Sequence, residues 1–151
     1  MAQKTTKDYL YVGIQFVLFL AFAWSPPFLG FARGEMIGYL GLLIGAVAAI
    51  GGLASIFLLR SALSPFPTPV SGGVLVTTGL YAYARHPIYT SVLLAAFGYG
   101  VYSGSGYRLL IGLALLVLFY FKSAYEEERL KAQYPDYPAY RQKVGRFSPW
   151  F

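Results

Sequence analysis

Residues 36–59 read MIGYLGLLIGAVAAIGGLASIFLL, a run of 24 residues with no charge, closed by Arg60. A helix rises about 1.5 Å per residue, so this run crosses a hydrocarbon core of about 30 Å with room for tilt. Gly38, Gly41, Gly45, Ala49 and Gly52 recur at three- and four-residue spacing within it. Small residues at that period form a smooth stripe on which a neighbouring helix can approach closely.

Three further apolar stretches flank this one. Tyr9–Trp24 precedes it and is closed by Pro26 and Pro27, which cannot continue a helix. This stretch follows Lys4 and Lys7 as a signal peptide would, but Ser25-Pro26-Pro27 offers no small-x-small cleavage site, so a retained first helix is expected. Ile88–Ser103 and Tyr107–Lys122 follow, separated by Gly104-Ser105-Gly106, which sets them up as a tight antiparallel hairpin. Helices of that length reach only about 24 Å. The last stretch meets no breaker before Pro135, so its helix should run on through Ser123–Gln133. The expected fold is therefore all-α: one polytopic membrane domain over residues 1–151, with about four transmembrane helices and a cytosolic helical segment in a tail over 123–151.

Composition agrees. Hydrophobic residues make up 57% of the chain and charged residues 12%, against about a quarter charged in soluble domains. The 14 Tyr suit an interfacial belt. The net charge of +6 comes from basic residues that flank apolar runs and form no stripe, so a nucleic-acid partner is not expected. No cysteine is present and the single histidine cannot build a typical metal site, so no metal is expected.

Side chains fit for chemistry gather in two places. Gly79-Leu-Tyr-Ala-Tyr-Ala-Arg85-His86-Pro87-Ile-Tyr89 leads into the third apolar stretch, with Pro87 placed for a first helical turn, where its missing N–H costs nothing. A new helix start there turns free N–H groups and positive dipole outward, toward any bound carboxylate; an interface anchor of Arg, His and Tyr would have the same composition. Glu126-Glu127-Glu128 lies at the end of the fourth stretch. A solvated helix face, with Glu127 and Lys131 as an i,i+4 pair, accounts for it equally well by spacing. No nucleophile elbow, phosphate-binding loop or zinc motif is present, so any enzyme here relies on a reactive cosubstrate held in position.

LVTTGLYAYARHPIYTSVLL (75–94) and EEERLKAQYPDYPAYRQKVGRFSPWF (126–151) together resemble the isoprenylcysteine carboxyl methyltransferases and their relatives, the membrane phospholipid methyltransferases. The matching positions are Gly79, Tyr81, Arg85, His86, Pro87 and Tyr89; then Glu126, Glu127 and Leu130; then Tyr137, Tyr140, Arg146, Phe147 and Pro149. Gly98-Tyr99-Gly100 matches a G-x-G of the phospholipid enzymes. The resemblance implies S-adenosylmethionine as methyl donor and an acceptor that enters from the lipid, a prenylcysteine carboxylate or a lipid amine. It further implies that Arg85 and His86, with Pro87 and Tyr89 beside them, hold the methionyl carboxylate. Glu126 or Glu127 would take the ribose or amino group, Gly98 and Gly100 would let the cofactor approach the backbone, and Tyr81, Tyr137, Tyr140 and Phe147 would line or cover it. For catalysis, an acceptor carboxylate needs a cation near it, for which Arg146 and Arg141 are candidates, and an amine needs a proton acceptor, for which the glutamates, Glu127 among them, and His86 are candidates. Thr90 stands where relatives often carry Gly. Two other classes keep the same outline: an NADPH-dependent membrane reductase of the sterol-reductase type, and a non-catalytic scaffold whose glycine stripe binds partner helices.

Ten of the twelve Lys and Arg fall in the N-terminus, the Arg60–Pro87 loop and the tail; Arg33 and Arg108 alone occupy the opposite loops. This bias puts both termini in the cytoplasm, and a prokaryotic inner membrane is the expected location. Reporter fusions at residue 151 and within the Arg60–Pro87 loop should therefore report the same, cytoplasmic side. Opposite sides for the two would rule out the four-span arrangement.

Overall fold

A computed structural model describes residues 4–149 apart from Ser25 and Pro27. The Pro27 half of the expected Pro26-Pro27 stop and the Trp150-Phe151 end of the tail motif lie outside the described residues. Five helices follow one another: α1 (Thr6–Ala23), α2 (Glu35–Leu59), α3 (Pro87–Tyr102), α4 (Gly106–Gln133) and α5 (Tyr137–Lys143). Short 3-10 turns occupy Arg60–Ala62 and Gly79–Ala82, and no strand occurs among the described residues.

Local chemistry sets the helix ends. Thr5 caps α1, its backbone N–H and hydroxyl both donating to Asp8 Oδ2, at 2.7 and 2.8 Å. His86 caps α3 and Pro87 is its first residue. The Ser105 hydroxyl caps α4 by accepting from the Arg108 N–H. Three helices, α1, α2 and α4, are long and apolar enough to cross a membrane. α3 has 16 residues, about 24 Å of rise. α4 runs unbroken for 28 residues, about 42 Å, so the continuation expected past Lys122 is present and its last turns project beyond any bilayer core. Large apolar side chains are exposed along α1 and α2, with Leu20 72% and Phe57 76% accessible. Such faces have lipid as their natural partner.

The tightest packing is α2 on α3. Gly41, Gly45, Ala48, Gly52 and Ser55 are the buried positions along this face of α2. The stripe thus passes through Ala48 and leaves Ala49 exposed, because alternating steps of four and three keep a face aligned with a straight neighbour while repeated steps of four drift off it. Gly38 belongs to the stripe by spacing, but the Arg33 guanidinium covers it, not a helix. At the closest point two backbones touch: a Cβ on Gly98 would lie 2.4 Å from the Gly41 carbonyl oxygen, and one on Gly41 would lie 2.7 Å from that of Gly98. Leu93, Ala96, Leu115 and Phe119 form the core between α3 and α4, with α1 packed alongside.

The connections sort to two ends. At one, the α1–α2 loop joins the α3–α4 turn: Phe31 N–H donates to Gly104 O at 2.8 Å and Gly106 N–H to Leu29 O at 2.7 Å. At the other, the N-terminus, the 60–87 loop and the tail converge. Asp8 Oδ1 accepts from both the Thr68 N–H (2.9 Å) and its hydroxyl (2.8 Å), while Thr5 Oγ1 lies 2.9 Å from Tyr125 Oη. This pairing matches the division of the loops by charge.

Gly98→Ala should lower the melting temperature in detergent by several degrees, since a backbone oxygen blocks the added carbon. Gly13→Ala, at a helical glycine with nothing within 4 Å, should leave it unchanged or raise it. Equal melting of the two variants by circular dichroism would contradict the backbone contact.

Candidate functional site

The turn before α3 is built to face the tail. Gly79 adopts a φ of +61°, which lets the chain enter its 3-10 turn with Leu58 packed where a side chain would begin. Four residues past that turn's start, Tyr83 ends it, and Ala84 is the last amide to donate back into it, to Leu80 O at 3.2 Å. Arg85 N–H donates to Gly145 O at 2.9 Å and His86 N–H to Arg146 O at 3.0 Å. Thr90 Oγ1 donates to Phe147 O at 2.8 Å, and Tyr140 Oη to Tyr81 O at 2.6 Å. The hydroxyl of Thr90 thus ties the tail to α3 through a contact glycine cannot make.

Between turn and tail lies one buried carboxylate. Glu127, 1% exposed, accepts at Oε1 from Arg85 Nε (3.0 Å) and Nη2 (2.8 Å) and from Arg146 Nε (3.3 Å), with His86 Nε2 at 3.3 Å. Its Oε2 faces Arg141 Nε at 3.3 Å and Arg146 Nη2 at 3.4 Å. Burial alone would push this carboxyl up, but hydrogen bonds and charge from His86 and Arg85 outweigh it and hold the group down at about 2. Arg85 Nη1 donates to the carbonyls of Arg141 and Val144, so each of its three guanidinium nitrogens has a partner. Lys131, expected opposite Glu127, pairs with Glu128 at 2.9 Å; three arginines already claim Glu127, and the lysine takes its exposed neighbour.

Glu126 points elsewhere. Its Oε2 accepts from Tyr89 Oη at 2.8 Å and lies 3.8 Å from His86 Nδ1. His86, Tyr89 and Phe119 form a parallel stack, with centroid spacings of 5.3 and 4.5 Å. Tyr81, Arg85, His86, Tyr89 and Glu126 line a cavity of about 300 Å³, together with Tyr137, Tyr140 and the proline-rich segment 62–76. The Tyr137 hydroxyl is buried without a partner among the described residues. Burial raises the Tyr81, Tyr137 and Tyr140 phenols, Tyr140 to about 12, so all three remain neutral donors.

The expected residues thus divide. Tyr81, Arg85, His86, Tyr89, Glu126, Tyr137 and Tyr140 line the cavity, and Pro87 begins the helix behind it. Glu127 and Arg146 form the clamp beside it. Phe147 packs near His86, ring centroids 6.2 Å apart. Gly98 and Gly100 are not brought to the cavity: α2 fills the space beside Gly98, and Leu109 the space beside Gly100. Four residues that hold the proline-rich segment in place were not foreseen. Asp8 and Thr68 pin the proline-rich segment, and Lys122 ties it again by donating to Gln15 Oε1 (2.6 Å) and Pro65 O (2.9 Å). The legible signal was a lysine at the end of an apolar run, which topology alone already explained. A second void of about 600 Å³, lined almost wholly by apolar side chains of α1–α4, shares Ile56 and Ile88 with the first.

The profile of the phospholipid methyltransferase family matches residues 35–137, from the start of α2 to the first residue of α5. The chain belongs to the phospholipid methyltransferase family. This family uses S-adenosylmethionine. The matched stretch holds the Arg85-His86-Pro87 turn and the Glu126-Glu127-Glu128 run; Arg141 and Arg146 lie beyond it. A solved structure described as a eukaryotic intramembrane Ras methyltransferase, isoprenylcysteine carboxyl methyltransferase, superposes with a TM-score of 0.71 at 22% identity, over 99% of this chain and 55% of that one. The likeness shows a shared fold, that of an integral multi-pass membrane protein, and the chain spans about half the length of that structure. No curated protein sequence matches significantly.

Glu127→Gln should lower stability by roughly 3 kcal/mol, as expected when one partner of a buried ionic cluster is removed. The stabilisation from this carboxylate is fully present above the ordinary glutamate value of 4.5 and is lost as pH falls toward about 2. Acid titration of the melting temperature should therefore bring wild type and Glu127→Gln together below pH 4.5. Parallel curves would remove Glu127 as the keystone.

Proposed function

We propose that this protein is a membrane methyltransferase that moves a methyl group from S-adenosylmethionine to a lipophilic acceptor. The observation that carries the reading is the junction of two unlike cavities. One is walled by tyrosines, His86 and Glu126; the other is apolar and lies among the helices. Their shared Ile56 and Ile88 support a reading in which a polar cofactor and an aliphatic chain meet at one point. A volume of about 300 Å³ is at the lower end for small-molecule sites. The partnerless Tyr137 hydroxyl fits a ligand that brings its own polar atoms, since a buried orphan donor is otherwise costly.

When bound, S-adenosylmethionine supplies a methyl group on a sulfonium, so that the S–C bond breaks as the acceptor's O–C or N–C bond forms and a neutral thioether leaves. The chain need only align and exclude water. Tyr81 and Tyr137 offer neutral hydroxyls to the nucleoside, and Tyr140, whose O–H goes to the Tyr81 carbonyl, can accept from it. Glu126, steadied by Tyr89, takes the ribose or the amino group. Glu127 and Arg146 serve as positioning residues: a carboxylate held near 2 is too weak a base to take an amine's proton. If the acceptor is an amine, Glu126 is the acidic group of the cavity in place to receive that proton. An acceptor carboxylate releases none. α3, short as it is, serves as a fourth crossing beside α2, with both termini, the 60–87 loop and the tail from 123 onward on the cytoplasmic side. The whole chain is one membrane domain.

S-adenosylhomocysteine should raise the melting temperature of the detergent-solubilised protein while NADPH leaves it unchanged, and Tyr137→Phe should weaken that binding about five-fold, the loss of one neutral hydrogen bond. Radiolabelled methyl transfer into a lipid extract identifies the acceptor. Stabilisation by NADPH alone would overturn the assignment.

A further inference from the structure

Lys122 is the least expected charge in the chain. It lies on α4, 1% exposed, in the wall of the polar cavity. Its ammonium has three N–H groups, and its two hydrogen-bond acceptors, Gln15 Oε1 on α1 and Pro65 O on the proline-rich segment, are both neutral. α3 presents only the face of Tyr89, 5.4 Å from Nζ. On α4 itself, Glu126 stands one turn along, accepts from Tyr89, and is not within ion-pair distance. Asp8 is enclosed by Thr5 and Thr68. Among the described residues, then, no carboxylate lies within 4 Å of this buried cation.

Buried charge at the edge of a bilayer is costly, and an ionisable group kept there marks a site by default. Nothing in the packing demands a lysine: a neutral donor would serve both Gln15 and Pro65. The other cations near the cavity cannot take its place. Arg85, Arg141 and Arg146 converge on Glu127, and the last of Arg85's nitrogens is turned to backbone carbonyls. The cavity therefore contains a carboxylate, Glu126, and one positive charge without an acidic partner.

We infer that Lys122 is the anion-binding residue of this cavity, its ammonium receiving a carboxylate or phosphate oxygen of a bound ligand. The inference rests on the methyltransferase reading for the identity of that ligand. Two sources share the chemistry: the methionyl carboxylate of the cofactor, or an anionic group on the acceptor. The first relieves Arg85 of that task, since each of its guanidinium nitrogens already donates to Glu127 or to a tail carbonyl. The second selects acidic lipids over neutral ones.

Lys122→Gln separates charge from tether, because an amide can still donate to Gln15 and Pro65 O; Lys122→Met removes both. Binding is read by calorimetry with S-adenosylhomocysteine and with 5′-methylthioadenosine, which keeps the nucleoside thioether and lacks the amino-acid part. Competition by dodecyl phosphate against dodecanol reads the acceptor side. If the cofactor is the source, Lys122→Gln loses about ten-fold for S-adenosylhomocysteine and nothing for 5′-methylthioadenosine. If the acceptor is the source, both nucleosides bind as before and the wild-type preference for dodecyl phosphate disappears. Equal weakening of both nucleosides, or no change in any probe, makes Lys122 a loop tether and overturns the inference. Wild-type protein that binds neither nucleoside overturns the methyltransferase reading instead, and the dodecyl phosphate comparison still decides the role of Lys122.

Discussion

One carboxylate, Glu127, holds together parts of the chain that would otherwise repel. Arg85 comes from the turn before α3, Arg141 from α5 and Arg146 from the segment after it; three guanidiniums converge on two oxygens. Such a cluster is favourable where its buried donors find acceptors, and here the carbonyls of Arg141 and Val144 take the Arg85 Nη1 that Glu127 does not. The consequence is positional. The tail is fastened along the turn by backbone hydrogen bonds, and α5 sets Tyr137 and Tyr140 over the cavity.

A small bundle with little interior of its own needs this kind of fastening. Its helices expose apolar faces to lipid and bury little against each other, so the strongest internal contact is the glycine approach of α2 to α3. At the other end of that pair the proline-rich segment is pinned twice, by Asp8 through Thr68 and by Lys122 through Pro65. The clamp fastens the turn and tail that line one cavity, and the pins fasten the proline-rich segment that lines it too. Each wall thus has an electrostatic anchor that is independent of the bilayer, and a ligand between them meets charge of both signs.

Much of this was legible in the sequence. An uncharged run of 24 residues ending in Arg60 became α2 with one residue added, because nothing within it breaks a helix. Pro87 marked the start of α3 and Gly104-Ser105-Gly106 the hairpin, since those residues restrict or free the backbone locally. The division of labour between Glu126 and Glu127 was not legible. Adjacent residues on a helix point about 100° apart, and which faces the cavity depends on arginines that fold back from the tail. Gly98 and Gly100 misled for a related reason: a glycine that admits a ligand and one that admits a helix look the same in sequence. Asp8 and Thr68 lie 60 positions apart with no pattern to link them.

The central claim is that the tail and the proline-rich segment together wall one ligand cavity. Hydrogen–deuterium exchange of the full chain in nanodiscs, with and without S-adenosylhomocysteine, tests it most directly. The ligand should slow exchange together in residues 62–76, at Arg85 and His86, and across 134–147, while the 102–106 turn at the far end of the bundle stays unchanged. Protection confined to the far turn, or to one wall alone, would contradict it.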